Sequence, residues 1–290
     1  MSALKRLSQD QIDEYWRNGF VNVGRVLSDD EIAGYKARGR EVVLGDYPPE
    51  AENRVMWDVR IAKGLVDKPE DPEHAIWKLF NPDRFDAALG RFKFTPALLD
   101  AVEDIIGHDI IAFLLMMIWK PPAATGIEAV HHFHQDAFYF PFGPHDRILA
   151  AWVPLDDASE ANGGLTVIPG SHRWDVKTHK LPEGVENALT FCVDDVADHP
   201  EAVSPEVKAG DAILFHSHLF HKTGANRTDG HRRVLTMHAA SAKCAMETPL
   251  EHDEFGMSLV RGQSYDGCLN VGDLADPAEV AMRRPSAEQY

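Results

Sequence analysis

The sequence predicts an α+β fold in which a jelly roll, or double-stranded β-helix, forms the core and helices flank it on the N-terminal side. The first 109 residues contain helix-capping signals and apolar residues at helical spacing. From residue 110 onward, short apolar runs alternate with turns rich in Pro, Gly and Asn. Helices do not alternate with these runs, which argues against a parallel α/β sheet. We expect one domain over 1–290, with a mainly helical flank at 1–109, the core at 110–240 and a tail or lid at 241–290.

Three helices are predicted in the flank. Residues 8–11, Ser-Gln-Asp-Gln, have the form of a capping box, and Gly19 is a typical helix end. Residues 28–31, Ser-Asp-Asp-Glu, form a second capping box. Leu and Ile residues at helical spacing predict a third helix over residues 96–106. A short strand is expected at 20–23, between the first two helices.

The core is predicted from its apolar runs and from the turn signals between them. Turns are expected at Pro-Pro, Asn-Gly-Gly and Pro-Gly-Ser sequences, where Gly and Pro favour a change of chain direction. The predicted strands are residues 110–119, 130–137, 148–154, 165–168, 189–193, 212–216 and 233–240.

Composition excludes several classes of partner. The chain has 29 Lys and Arg against 46 Asp and Glu, a formal charge of −17, so neither nucleic acids nor anionic membranes are expected to attract it. Cys192, Cys244 and Cys268 are far apart, which excludes a disulfide framework or a thiolate zinc site. With no apolar signal near the N-terminus and no run long enough to span a membrane, we expect a cytoplasmic protein that binds a small molecule.

Histidine is the unusual residue: 12 of the 15 lie between positions 131 and 238. On a strand, alternate residues share a face, so His134 and Asp136 would present an imidazole and a carboxylate to one ion. His132 lies on that predicted face as well, so His132 and His134 form a rival pair. A distant third ligand would complete the two-histidine, one-carboxylate set of non-haem Fe(II) oxygenases. Its candidates are His216, His218 and His221.

An arginine strengthens this interpretation. Arg232 follows His221 by eleven residues and begins a β-like run, where a guanidinium can hold a carboxylate with two hydrogen bonds. Fe(II) oxygenases that use 2-oxoglutarate need such a grip on its C5 carboxylate. Two alternatives stay open on the residues alone: a non-catalytic jelly roll, and a cupin-like metal-binding protein independent of 2-oxoglutarate.

The stretch from about residue 119 to 240 resembles the phytanoyl-CoA dioxygenase family of Fe(II)/2-oxoglutarate oxygenases. Eight segments carry the resemblance: Lys120-Pro121-Pro122, His132-Phe133-His134-Gln135-Asp136, Tyr139-Phe140-Pro141-Phe142, Ala151-Trp152, Asn162-Gly163-Gly164, Ile168-Pro169-Gly170-Ser171-His172, Gly210-Asp211 and residues 221–233.

The resemblance implies a site and a reaction. The iron ligands would be His134, Asp136 and His221, which makes the other candidate histidines bystanders. Contacts to 2-oxoglutarate would come from Lys78, Met116, Gln135, Trp152, Thr223 and Arg232. With Fe(II), 2-oxoglutarate and O2, the protein would hydroxylate an aliphatic carbon of a small molecule and release succinate and CO2. The substrate would be an acyl-CoA, an osmolyte, a phosphonate or a secondary metabolite. The retained carboxylate of Asp136 disfavours halogenation, because halogenating relatives lack it.

Overall fold

The computed structural model describes residues 4–64, 66–127, 129–180, 192–247 and 255–269, and every statement below concerns these residues. The helices are α1 (Gln9–Asn18), α2 (Asp29–Val43), α3 (Val59–Ala62), α4 (Ala87–Gly90) and α5 (Pro96–Ile106). The strands are β1 (Phe20–Arg25), β2 (Val55–Trp57), β3 (Ile76–Phe80), β4 (Ile110–Lys120), β5 (His131–His134), β6 (Phe142–Gly143), β7 (Ile148–Pro154), β8 (Leu165–Val167), β9 (Asp211–His216), β10 (His221–Thr223), β11 (Arg232–Ser241), β12 (Ala245–Met246) and β13 (Ser258–Arg261).

The strands form a large sheet, a small sheet and a separate pair of short strands that are distant in sequence. The large sheet has eight strands in the order β1-β9-β7-β11-β4-β3-β2, with β13 added beside β4. The small sheet has the order β5-β10-β8, and β12 pairs with β6. Neighbouring strands are antiparallel throughout. This mixed arrangement confirms the predicted α+β class with a jelly-roll core.

The large sheet separates two apolar layers. Leu115, Met117 and Leu235 face the helices and pack with residues of α2 and α5 in the main core. The opposite face carries Trp152 and Val234, which pack with residues of β8 from the small sheet. Strand alternation places Met116, Thr236 and Trp152 side by side on this second face, because Thr236 is the register partner of both others. The space between the sheets is therefore where a site can form.

The helix signals are confirmed in detail. Ser8 and Ser28 each cap a helix through complete capping boxes, and Gly19 ends α1 with a left-handed φ of 84°. Helix α5 has the predicted bounds. None of the helices in the described chain is long and apolar enough to cross a membrane.

Both ends of the chain contain more strand than expected. The flank at 1–109 was predicted to be mainly helical with one strand at 20–23; that strand is present as β1, and β2 and β3 also join the large sheet. The tail was expected to be irregular, but β13 pairs with β4. These strands are short and flanked by polar residues, so their apolar pattern is weak in the sequence. Of the strand predicted at 189–193, residues 189–191 lie outside the described residues, and Cys192 forms a single bridge with Lys180.

Two bulges re-aim side chains on the inner face. On β4, Met116 is opposite Thr236 but Phe113 is opposite His238, so β4 has one extra residue, and Leu114 there has a φ of 47°. On β5, His134 is opposite His221 but His131 is opposite Thr223, so β5 also carries an extra residue. Bulges are common beside active sites, where they redirect a side chain.

Candidate metal centre and co-substrate site

Three of the predicted ligands converge. His134 on β5, Asp136 just after it and His221 on β10 offer ligand atoms that all lie within 4.8 Å of one another. Oδ1 of Asp136 is 3.6 Å from Nε2 of His134 and 3.6 Å from Nε2 of His221. The register of the small sheet brings the two histidines together, since they are direct cross-strand partners. No other group of this kind occurs in the described residues.

The backbone fixes which nitrogen each imidazole presents. Nδ1 of His134 lies 2.8 Å from the carbonyl of His132, and Nδ1 of His221 lies 2.9 Å from the carbonyl of Leu219. A carbonyl only accepts, so each Nδ1 carries the hydrogen and each Nε2 keeps its lone pair. Both lone pairs are therefore available to a metal ion, and the rings are held in place.

The carboxylate of Asp136 is held from behind by His238 on β11. Nε2 of His238 lies 3.0 Å from Oδ2 of Asp136, which leaves Oδ1 facing the two other histidines. The ring of His238 stacks on Phe113 at 5.4 Å and meets Phe140 edge-on at 5.1 Å. The bulge on β4 places Phe113 in this position. His238 and its aromatic neighbours thus orient the acid.

Electrostatics keep the cluster in the protonation state that a metal needs. Burial, together with the neighbouring His221, lowers the pKa of His134 to about 3. Burial alone would raise the pKa of Asp136, but His221 and His238 outweigh it, and the pKa of this carboxyl falls well below its usual range. The acid is ionised and the imidazole of His134 is neutral near pH 7.

The predicted strand position of Asp136 needs correction. Strand β5 ends at His134, and Asp136 begins a 3₁₀ turn that runs to Tyr139. The bulge on β5 also changes the pairing of the neighbouring histidines. His131, and not His132, is the register partner of Thr223 on β10. Regular alternation had grouped His132 with His134, and an extra residue in the strand breaks that alternation.

Buried cations without matching acids lie near the cluster. Arg232 is 1% exposed, and its Nε and Nη1 atoms have no hydrogen-bond partner among the described residues. Its guanidinium carbon is 5.7 Å from the ring of Trp152. Nζ of Lys78 contacts Sδ of Met116 at 3.7 Å and the ring of Trp77 at 4.1 Å. Such groups form a place for an anion.

Burial lowers the pKa values of Lys78 and Arg232, but both side chains remain protonated near pH 7. It lowers the pKa of Lys78 to about 8 and that of Arg232 to about 9, the latter partly offset by Asp156. Both stay positive at neutral pH. Lys120 is buried beside them, but its ammonium donates to the carbonyls of Ala129, Thr223 and Gly224 and so is already satisfied.

Gln135 and His179 fasten a neighbouring segment to the site. The backbone N–H of Gln135 donates to Nε2 of His179 at 2.8 Å, while its side-chain Oε1 accepts from the N–H of Lys177 at 2.8 Å. The ring of His179 stacks on Phe138 at 4.2 Å. Phe138 and Tyr139 are 38% and 36% exposed, and the ring of Tyr139 lies 6.5 Å from that of His134, so exposed aromatic surface adjoins the candidate metal site. The side chain of Gln135 is thus committed to the protein.

His216 and His218, the other candidates for the third ligand, lie in a separate group of histidines. Nδ1 of His145 lies 3.0 Å from Nε2 of His218, and the ring of His216 is 5.3 Å from that of His218 and 5.4 Å from that of His172. These four rings pack near α1 and share no ligand atom with the metal-capable group.

Sequence reasoning missed three histidines and one tryptophan. His131, His179 and His238 each contact a residue of the site, and Trp77 donates to His131 at 3.2 Å. The crowding of histidines between 131 and 238 was the available signal, but contacts between distant strands select among them.

The residues present suit ferrous iron and 2-oxoglutarate. Two imidazole nitrogens from neighbouring strands and one carboxylate from the turn after β5 match the facial set of non-haem iron oxygenases. The unpartnered guanidinium of Arg232, buried beside Trp152, is suited to the carboxylate of a 2-oxo acid.

Comparison with known proteins identifies the family of this chain. Residues 15–234 match the family described as phytanoyl-CoA dioxygenase (PhyH). The peroxisomal phytanoyl-CoA dioxygenase of Homo sapiens is 32% identical over 240 residues, covering 82% of this chain and 70% of the relative. The ectoine dioxygenase of Bordetella parapertussis is 26% identical over 266 residues, covering 87% and 80%.

Solved structures share the fold. An apo non-haem monooxygenase, ThoJ, superposes with a TM-score of 0.65 at 20% identity, covering 94% of this chain and 92% of the other. The epimerase SnoN, in complex with Fe3+, alpha ketoglutarate and nogalamycin RO, gives a TM-score of 0.63 at 22% identity, covering 85% and 96%.

Fold and sequence relatives together define a non-haem iron, 2-oxoglutarate-dependent dioxygenase. Within that class, the chain belongs to the phytanoyl-CoA dioxygenase family.

Proposed function

We propose that this protein hydroxylates an aliphatic carbon of a small molecule, with Fe(II) bound by His134, Asp136 and His221. The observation that carries the proposal is the convergence of these three ligand atoms within 4.8 Å. The residues proposed to receive 2-oxoglutarate are Lys78, Met116, Gln135, Trp152, Thr223 and Arg232.

The chain's own groups account for binding and orientation. Iron and 2-oxoglutarate, when bound, supply the activation of O2 that oxidises an unreactive carbon. In this proposal Arg232 holds the C5 carboxylate, and its guanidinium carbon lies 5.7 Å from the centre of the Trp152 ring. The amide of Gln135 donates to the carbonyl of His218 and accepts from the N–H of Lys177. Its contribution to the site is therefore to hold these two backbone segments in place. His238 keeps one oxygen of Asp136 away from the metal position.

The substrate belongs to one of four small-molecule classes: acyl-CoA thioesters, osmolytes, phosphonates or secondary metabolites. Two of these classes have support in the names of relatives, which include a phytanoyl-CoA dioxygenase and an ectoine dioxygenase, and a third relative is named a probable hypophosphite dioxygenase. The exposed rings of Phe138 and Tyr139 favour a substrate that presents apolar surface near the metal. No nucleic acid or membrane is part of the proposal.

Succinate release tests the reaction. The wild-type protein, supplied with Fe(II), 2-oxoglutarate and one compound from each class, is expected to release succinate in step with the oxidation of one of them. His134→Ala is expected to abolish this release and weaken Fe(II) binding, while the matched control His132→Ala keeps both.

A wild-type rate from His134→Ala would refute the ligand assignment. Turnover that does not require 2-oxoglutarate would instead support the cupin-like alternative, and failure to bind Fe(II) at micromolar concentration would support the non-catalytic one.

We also propose a cytoplasmic location. Cys244 and Cys268 form no disulfide in the described chain, which fits a reducing compartment. Imaging of the full chain with a fluorescent tag tests this, and accumulation in an oxidising or membrane-bounded compartment would contradict it.

A further inference from the structure

We infer that His131 is a positioning residue for 2-oxoglutarate: held in one tautomer by Trp77, it makes the hydroxyl of Thr223 a hydrogen-bond donor to the C5 carboxylate. This inference rests on the proposed function, because it concerns the same co-substrate. It is carried by a chain of two hydrogen bonds through Trp77, His131 and Thr223.

The first bond fixes the tautomer. Nε1 of Trp77 donates to Nε2 of His131 at 3.2 Å, and the two rings lie 5.7 Å apart. An indole nitrogen can only donate, so Nε2 of His131 must hold a lone pair. The hydrogen of a neutral imidazole is then on Nδ1.

The second hydrogen bond, between His131 and Thr223, then determines whether the threonine hydroxyl donates or accepts. Nδ1 of His131 lies 3.3 Å from Oγ1 of Thr223. With the hydrogen on Nδ1, the imidazole donates and the hydroxyl oxygen accepts. The hydroxyl hydrogen of Thr223 is then free to point elsewhere, and no other described side chain contacts Oγ1. In the opposite tautomer, Nδ1 would compete for this hydrogen.

The surroundings indicate where the hydroxyl points. His131 lies within electrostatic reach of Lys120, Lys78 and Arg232, so an anion is the ligand that these groups favour. A carboxylate only accepts hydrogen bonds, which means that Thr223 can contact it only as a donor. Trp77 and His131 therefore prepare Thr223 for the carboxylate before it arrives.

Burial supports a neutral His131. Burial lowers the pKa of His131 far below its ordinary value, and the neighbouring Lys120 lowers it further. An imidazolium would also place an N–H against the N–H of Trp77, which the 3.2 Å contact forbids.

Three variants test the two hydrogen bonds, from Trp77 to His131 and between His131 and Thr223, separately. His131→Leu removes the donor to Thr223, Trp77→Phe keeps an aromatic ring but removes the indole N–H, and His131→Asn restores an amide donor near the Nδ1 position. His132→Leu, on the adjacent residue, is the control.

Affinity for 2-oxoglutarate is measured anaerobically on the Fe(II)-loaded protein, from the visible charge-transfer band that a chelating 2-oxo acid produces. We expect His131→Leu to weaken 2-oxoglutarate binding about tenfold or more, as for loss of a hydrogen bond to a charged group. Trp77→Phe should weaken it by a smaller factor, while His131→Asn and His132→Leu stay within a few fold of wild type. Fe(II) affinity should not change in any of the four.

The tautomer is observed independently by ¹⁵N NMR of the imidazoles in the metal-free chain, with His131 assigned by its loss in His131→Asn. An Nδ1–H tautomer in wild type that becomes mixed in Trp77→Phe supports the inference. An Nε2–H tautomer in wild type overturns it, whatever the affinities.

The two proposals fail differently. If wild type with bound Fe(II) gives no charge-transfer band with 2-oxoglutarate, the proposed function fails and this inference fails with it. If wild type gives the band and His131→Leu binds 2-oxoglutarate equally well, only the role of His131 is refuted.

Discussion

At the scale of single residues, the geometry of the candidate metal site depends on His238, which is not one of its three potential ligands. His238 donates to Oδ2 of Asp136 at 3.0 Å and is fixed by the rings of Phe113 and Phe140. Its Nδ1 is buried and has no partner among the described residues, so the ring has a single polar contact. That contact determines which carboxylate oxygen faces His134 and His221.

We therefore expect His238→Leu to lower Fe(II) affinity about 10- to 100-fold, the usual cost of removing a group that orients a ligand. The measurement is a calorimetric or competition titration with Fe(II) or Mn(II). His238→Gln, whose amide can donate from the Nε2 position, should recover much of the affinity. Equal binding by wild type and His238→Leu would show that Asp136 orients itself.

At the scale of elements, a buried ion pair joins the segment before β13 to the helical flank. Nζ of Lys93 lies 2.7 Å from Oδ2 of Asp83 and 2.6 Å from the carbonyl of Gly256, and both side chains are fully buried. Asp83 and Lys93 lie in 3₁₀ turns before and after α4. A strand that the sequence pattern did not predict is thus tied down by contacts that are remote in sequence.

Asp83→Ala should lower the free energy of unfolding by about 3–5 kcal/mol, because it leaves a buried ammonium without its counter-ion. Urea denaturation monitored by fluorescence measures this. The double variant Asp83→Leu/Lys93→Met should lose much less, since neither charge remains. Lys208→Ala breaks the solvent-exposed pair with Asp157 and should have no measurable effect. A similar loss in the single and double variants would mean that shape, and not charge, matters at this position.

At the scale of the whole molecule, buried histidines outside the candidate metal site are expected to make stability depend on pH. Burial lowers the pKa of His216 to about 3 and also lowers those of His172 and His218. In the unfolded chain these imidazoles titrate near their ordinary value of about 6.5. As the pH falls below that value, the unfolded state takes up protons that the folded state does not, so stability decreases toward pH 3.

For a single such histidine the loss is about 1.4 kcal/mol per pH unit in this window. His216→Asn keeps an acceptor for the backbone N–H of His218, which now donates to Nδ1 of His216 at 3.0 Å, but it does not titrate. We expect urea denaturation at pH 7 and pH 5.5 to show a smaller difference for this variant than for wild type. An identical difference in both proteins would assign the acid sensitivity to other groups.

Local signals predicted what is local in this fold. The caps of α1 and α2, the bounds of α5 and the apolar strands β4, β7, β9 and β11 were all recognisable, because their patterns are continuous in sequence. The convergence of His134, Asp136 and His221 was also anticipated. Its spacing is that of a metal site, and the resemblance to a known family selected the third ligand.

What could not be predicted depends on register. Alternation placed His132 beside His134, whereas the extra residue in β5 brings in His131. His238 could not be linked to Asp136, because the contact spans 102 positions and requires a second bulge on β4. Period-two reasoning assumes regular strands, and both departures from it occur where the site is built.

The bulge on β5 also bears on how related chains are compared. A relative that lacked one residue just before His134 would keep every letter of the His-Gln-Asp motif and pass any search for it. Its strand would nevertheless pair regularly, and the side chain opposite the threonine would then come from the second residue before the first histidine of the motif instead of the third. The position opposite the threonine must therefore be counted through the bulge in each related chain, because the motif alone does not fix its distance from the first histidine.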